Sequence, residues 1–505
     1  MQDTAGTWLM TALTTSPLLI ALMQTAASLP VLFLGLPAGA TADMFDRRRL
    51  LIFWQTWMLA TVAILSALTM FGIISPAVLL ILTFLLNIGS AMNNPAWQAI
   101  VPELVPRSEL PDAIALNSAA FNLARAAGPA LGGLTVAAFV SPAAGAAVVF
   151  LLNSVSFLAV IWVLYVWKRT PIFRSALPGE RIFGSMRSGV RYVRHSPPLR
   201  AVLLRTFLFT GFASAVWALL AVVAQQDLHA GAMAYGILNG CLGLGAVVGA
   251  SLLPRLRRML PAEWMLAGTG LVFAATLLTL AFTRNVPLIV FWLLAAGSAW
   301  TTTTSTLNIA VQISVPNWVQ ARALGIYQMI FAGGMAIGSA LWGFIAERAS
   351  SRTSLLVSAV GMLIAVPIAR RFPLLRGKAP DLSPYQFAAK SFAPVLQPEP
   401  EQGPVLITIE YRVDPGDRAA FTEAMHAMRP IRMSIGAIRW GIYQDTAQPE
   451  RFLETFVVES WLEFLRTRER MTAADLEVRD RARSFHRGEE EPHVSRMIYA
   501  RERPE

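Results

Sequence analysis

The sequence predicts an all-α polytopic membrane protein, built on a six-plus-six helix plan with a shortened first helix, followed by a small α+β domain. Three observations carry that prediction. Of 505 residues, 55% are hydrophobic and only 14% charged, with a mean hydropathy of +0.52, a balance that soluble domains rarely reach. The apolar residues gather in runs long enough for the ~30 Å hydrocarbon core of a bilayer. Finally, the charge balance changes along the chain: residues 1–402 hold 26 Lys+Arg against 13 Asp+Glu, and 403–505 hold 16 against 18. The net charge of +11 therefore belongs to membrane loops and does not indicate a nucleic-acid partner.

The first segment, Trp8 to Leu13, stops at Thr14-Thr15-Ser16-Pro17, well short of the ~20 residues a span needs. No basic leader with a cleavage site precedes it. It reads as the outer half of a transmembrane helix whose inner half is expected upstream of Met1. Further apolar segments run over Pro17 to Leu36, Leu50 to Ile74, Pro76 to Val101, Ala113 to Phe139 and Ala143 to Trp167, completing an N-terminal bundle over 1–167. A basic connector occupies 168–198. A second bundle over 199–372 follows, with segments at Leu199 to Ala224, Ala232 to Leu253, Trp264 to Phe282, Val286 to Val311, Ala323 to Ala346 and Ser354 to Ala369. Two related halves of six are the plan of a secondary transporter.

Counting basic residues orients the chain. If Arg47 to Arg49 face inward, the inward loops collect twenty Lys and Arg, against Arg284, Arg348 and Arg352 on the other side. Both ends are then expected in the cytoplasm of a bacterial-type inner membrane. After a proline-rich linker over 373–402, residues 403–505 alternate strand and helix patterns. Leu406 to Val413, Ala437 to Gln444, Arg451 to Glu459 and Val494 to Ala500 read as strands, Asp417 to Met433 as a helix, and Trp461 to Phe485 as one long charged helix. That βαββαβ order is ferredoxin-like. A single cysteine, Cys241, and five scattered histidines offer no disulfide framework, and no metal site or cofactor is expected.

The turn from Gly39 to Arg49 has glycine, aspartate four residues later, and a basic cluster. With Gly39, Asp43, Arg47 and Arg48 it resembles the loop 2-3 signature of the major facilitator superfamily, and Asp46 in place of the usual second glycine resembles the branch of enterobactin exporters. The resemblance implies that Asp43 and Arg47 form a conformational latch; a purely topological role for the arginines is the alternative. Gly249 to Arg258 is a degenerate second copy lacking the aspartate. Gly128, Pro129, Gly132 and Gly133 resemble the antiporter motif of the fifth helix, where close packing is the other reading. The tail resembles dimeric α+β barrel modules related to antibiotic-biosynthesis monooxygenases, which implies dimerisation through it. His426 and His486 lie in this tail with no paired nucleophile or cofactor loop, so structural or regulatory roles lead.

Arg125 lies ~18 Å along its helix from the inner end, where an unpaired cation is costly. Asp3, ~15 Å deep, matches that depth, so the pair is a candidate for proton coupling, a static structural pair being the alternative. Asn87, Ser90, Asn94 and Gln98 in the fourth segment, and Thr301, Ser305, Asn308 and Gln312 in the tenth, each keep to one helix face. They read as a substrate path or as interhelical hydrogen-bonding glue. Trp97, Trp217 and Trp300 favour a bulky amphipathic solute, although tryptophans also serve as interface anchors. The expected function is proton-coupled export of a small amphipathic molecule such as a siderophore or drug. A membrane-tethered monooxygenase-like enzyme and a non-transporting sensor are the alternatives. The partners expected are the lipid bilayer, the solute and protons.

Overall fold

A computed structural model describes residues 1–104, 109–167, 182–374, 381–383, 398–488 and 490–500. It divides into two compact units: residues 1–178, 201–309 and 325–374 form the first, and 179–200, 310–324 and 375–505 the second.

The first unit is helical. Its elements are α1 (Gln2–Leu13), α2 (Pro17–Met44), α3 (Arg47–Met70), α4 (Pro76–Leu104), α5 (Leu110–Ala137), α6 (Pro142–Val166), α8 (Pro197–Val222), α9 (Ala232–Met259), α10 (Ala262–Phe282), α11 (Val286–Ile313), α12 (Asn317–Arg348) and α13 (Ser351–Arg370). Among the described residues, ten helices are long and apolar enough to cross a membrane. Serine caps with proline at the first helical position start α2 at Ser16-Pro17 and α6 at Ser141-Pro142, the serine side chains accepting from Leu19 and Ala144 amides. Large apolar side chains such as Phe53, Leu151, Trp162 and Phe291 stay more than half exposed, as expected where the surrounding solvent is hydrocarbon.

The Gly39 to Arg49 stretch is more helical than a turn. Helix α2 continues through Gly39 and Asp43 to Met44, and only Phe45 and Asp46 interrupt it before α3. The aspartate at 46 explains the compactness: its carboxylate accepts from the Arg49 amide at 3.0 Å and caps α3. Arg48 then donates to the carbonyls of Leu164 at 2.7 Å and Tyr165 at 2.5 Å, satisfying the last turn of α6. Arg47 Nε reaches the Ala42 carbonyl at 3.5 Å. The degenerate copy likewise lies inside a helix, since α9 runs to Met259.

The second unit brings α7 (Ile182–His195) and residues 310–324 together with the tail. In the tail, β1 (Val405–Arg412), α14 (Arg418–Ile435), β2 (Arg439–Gln444), β3 (Arg451–Val458), α15 (Trp461–Glu469), α16 (Ala473–Arg483) and β4 (His493–Ile498) build a sheet of order β2-β3-β1-β4 with antiparallel neighbours. Strict alternation on β1 and β3 buries Val405, Ile407, Ile409, Phe452 and Phe456 under the helices with Phe421 and Met425 of α14. The opposite face carries Leu406, Leu453, Val457 and Met497. The single helix expected over Trp461 to Phe485 is broken in two, because Thr472 starts a new helix with a capping box to Asp475. Glu454 is fully buried but satisfied: Arg432 donates to it at 2.9 and 3.2 Å and Trp440 at 3.0 Å.

Candidate functional site: a polar and aromatic cavity

A cavity of about 940 Å³ lies within the first unit. Its wall combines two chemistries. Trp217 of α8 and Trp300 of α11 meet with ring centroids 4.3 Å apart, and Phe331 of α12 stands edge-on to Trp300 at 5.5 Å. The lining also carries neutral hydrogen-bonding side chains: Thr4 and Thr7 of α1, Gln24 and Ser28 of α2, Asn239 of α9, Thr304, Ser305 and Asn308 of α11, and Tyr327 and Gln328 of α12. Gln24 donates to Ser28 at 3.0 Å, and Tyr327 donates to the Thr304 carbonyl at 3.3 Å, so part of this polar wall is held in place by itself. Asp3 is exposed to the cavity. A site of this size, with aromatic rings and hydrogen-bonding groups in its lining, suits a drug-sized amphipathic ligand.

The end of the bundle remote from Arg47 is tied across the two halves. Gln225 and Gln226, in the π turn Val223–Asp227 that ends α8, donate to the Thr11 and Thr15 carbonyls at 2.9 and 3.0 Å. Ser16, the cap of α2, donates to Glu347 in the last turn of α12 at 2.8 Å, and the Leu18 amide reaches the same oxygen at 3.4 Å. On the C-terminal side, Arg284 and Ser351 both hold Asp227, at 2.9 and 3.2 Å. Toward that end α5 and α9 touch backbone to backbone, for a Cβ on Gly133 would lie 2.7 Å from the Gly236 Cα. Gly132 is as crowded, its Cβ falling 2.8 Å from the Met1 carbonyl, whereas Gly128 has 3.2 Å and Gly39 open space. Pro129 lines the cavity. Close approach accounts for glycine at 132 and 133.

The residues singled out from the sequence divide. Asp3, Trp217, Trp300, Ser305 and Asn308 line the cavity together with Pro129. Asn87 instead donates to the Thr83 carbonyl of its own helix at 2.9 Å, and Gln98 donates to Asn94 at 3.2 Å. With Ser90, Thr301 and Gln312 they lie outside the lining. Trp97 packs in a separate cluster with Ala42, Leu51, Ala96 and Ile100, so it belongs to helix packing and not to the solute wall. The side chains of Asp43 and Arg125 lie outside the described residues. Sequence reasoning missed Gln24, Ser28, Tyr235, Asn239, Tyr327 and Gln328, which come only in short pairs, i,i+4 or adjacent, within mostly apolar helices. In the tail, His486 accepts from the Arg412 amide at 3.0 Å and donates to the Glu490 carbonyl at 3.1 Å, and His426 packs against Trp440.

Comparison with known proteins bears on this cavity. A family model described as "transmembrane secretion effector" matches residues 1–505. The staphyloferrin A transporter of Staphylococcus aureus is 26% identical over 322 residues, covering 63% of this chain and 78% of that protein. The multidrug efflux pump Tap of Mycolicibacterium fortuitum is 24% identical over 377 residues, covering 73% and 90%. Among solved structures, a D-xylose–proton symporter superposes with a TM-score of 0.59 at 15% identity over 75% of this chain and 96% of that one. The nucleoside transporter NupG does so with 0.56 at 11% identity over 74% and 94%.

Proposed function

Since the chain belongs to the transmembrane secretion effector family of the major facilitator superfamily, and is therefore a multi-pass membrane transporter and not an enzyme, we propose that it exports a small amphipathic molecule, a siderophore or a drug, in exchange for protons. The observation that carries this reading is the cavity itself, whose lining combines aromatic rings, amide and hydroxyl groups and the carboxylate of Asp3. The names of the staphyloferrin A and multidrug relatives agree with a solute of that character. In this reading the arginine-rich end faces the cytoplasm, as do both termini, and the membrane is the bacterial inner membrane. Asp43 with Arg47 latches one alternating-access state, Arg48 and Asp46 brace the helices beside it, and the glycines of α5 and α9 let the halves rock against each other. Asp3 and Arg125 exchange a proton for solute.

The aromatic wall gives the direct test. Trp300→Ala removes a ring from the cavity lining, and with it about 1 kcal/mol of stacking against an aromatic part of the solute. Transport in proteoliposomes over a range of solute concentrations should show KM about fivefold higher with kcat little changed. An unaltered KM in correctly inserted protein would take these rings out of the binding site.

For the tail, the ferredoxin-like assignment is supported by its strand order, and dimerisation by the apolar residues Leu406, Leu453, Val457 and Met497 on the sheet face away from the helices, the last 55% exposed. Apolar faces of this kind mark association surfaces. The double variant Leu453→Glu, Met497→Glu is expected to halve the protein mass measured by light scattering in detergent. A mass equal to wild type, whether monomer or dimer, would exclude this face as the interface.

A further inference from the structure

We propose that the tail is a clamp on the transport cycle: it grips α7 and the turn between α11 and α12, and so stabilises the arrangement of the bundle seen here against the alternative one. The grip is a chain of contacts inside the second unit. Arg187 of α7 pairs with Glu459 at 2.9 Å, and Arg191, one helical turn on, pairs with Glu463 of α15 at 2.7 Å. Glu463 also receives Arg470 at 2.6 Å, and the Arg470 guanidinium lies 4.6 Å over the ring of Trp318 in the first turn of α12. Trp318 in turn meets Tyr192 of α7 edge-on at 5.7 Å. Arg322 of α12 donates to Ser188 of α7 at 2.9 Å, passing where Gly189 leaves space for it.

Glu463 is the hub of this clamp. Burial, the largest influence, would push its carboxyl up, but the charges and hydrogen bonds of Arg470 and Arg191 outweigh that and hold it below the usual glutamate range. It therefore stays ionised and bound to both arginines. The turn it secures through Trp318 joins two helices that carry cavity residues further along, Ser305 and Asn308 on α11 and Tyr327 and Gln328 on α12. Helices are stiff over such lengths, so the ends cannot shift in the cycle without either carrying the tail along or breaking its contacts. A body that binds one state better than the other shifts the equilibrium by that difference. The inference rests on the transporter assignment and needs neither proton coupling nor export.

The test reads the resting conformation directly. In a Cys241→Ser background, Ile309→Cys places a thiol on a cavity-lining residue that is 38% exposed, and its reaction with a water-soluble maleimide is followed in detergent. Arg191→Ala removes the α7 side of the clamp while Glu463 keeps Arg470, so the tail retains its own pairing. Loss of a charge-assisted hydrogen bond should slow labelling about tenfold. Trp318→Ala should act in the same direction, and Arg191→Lys, which keeps the charge, should stay within about threefold of the parent. Labelling in Arg191→Ala as fast as in the parent, or faster, overturns the clamp. If Trp318→Ala aggregates on gel filtration, Arg191→Ala decides alone. Because no solute is present, failure here is distinct from any failure of the proposed function.

Discussion

Asp43→Asn is expected to bring export close to background while the amount of protein in the membrane stays that of wild type. Asp43 lies in the last turn of α2, which ends at Met44. A carboxylate at the negative end of a helix is unfavourable by about 0.3–1 kcal/mol unless a cation offsets it, and Arg47 to Arg49 begin the next helix. Asparagine keeps the size and loses the charge. The contacts that hold the helix ends together survive the change, since Asp46 still caps α3 and Arg48 still bonds the carbonyls of Leu164 and Tyr165. What would disappear is the ionic part of the proposed latch, and with it that latch's bias toward one of the two states of the cycle. Efflux measured at matched expression decides. Wild-type rates would leave the arginines a topological role only.

The second large effect concerns coupling. Asp3→Asn should still allow solute to bind but should abolish accumulation driven by a pH gradient, because the amide mimics the protonated acid permanently. Asp3 of α1 lines the cavity beside Thr4 and Thr7, together with Ala124 and Pro129 of α5, the helix that carries Arg125. If the two charges pair, Asp3→Arg combined with Arg125→Asp should recover more transport than either single reversal, an unpaired charge at that depth being the costly state. Uphill transport by Asp3→Asn under a pH gradient would move the coupling site elsewhere.

The long helices were predictable because length and hydropathy are local properties, and the tail's strands because alternation is local too. The cavity was only half predictable. Ser305 and Asn308 were found through helical spacing and Trp217 and Trp300 through side-chain size, whereas Tyr327 with Gln328 and Tyr235 with Asn239 are isolated pairs in apolar helices, too short to read as a stripe. The stripe from Asn87 to Gln98 looked equivalent, yet Asn87, Asn94 and Gln98 bond within their own helix. Periodicity cannot separate these cases, because it reports a common face and not what the face meets. The bonds from Gln225 and Gln226 end on main-chain carbonyls of Thr11 and Thr15, atoms common to every sequence. The break at Thr472 was visible in principle, as Thr472 and Asp475 have the spacing of a capping box. Arg205, buried in α8 with Glu263 at 2.8 Å, was passed over because an isolated arginine in an apolar run does not name its partner.

Glu347 occupies an unusual electrical position. It belongs to the last turn of α12, where the helix is negative, yet its carboxylate rests on the first turn of α2, where the helix is positive, accepting from Ser16 and the Leu18 amide. One charge thus joins the opposite poles of two helices from different halves of the bundle. Parting them leaves the carboxylate with its own negative pole, and at an exposed site each such term is worth about 0.3–1 kcal/mol. The imbalance this creates between a joined and a parted end is a few-fold in population. That is enough to give the resting molecule a preferred side, and small enough for the binding energy of one solute molecule to reverse it.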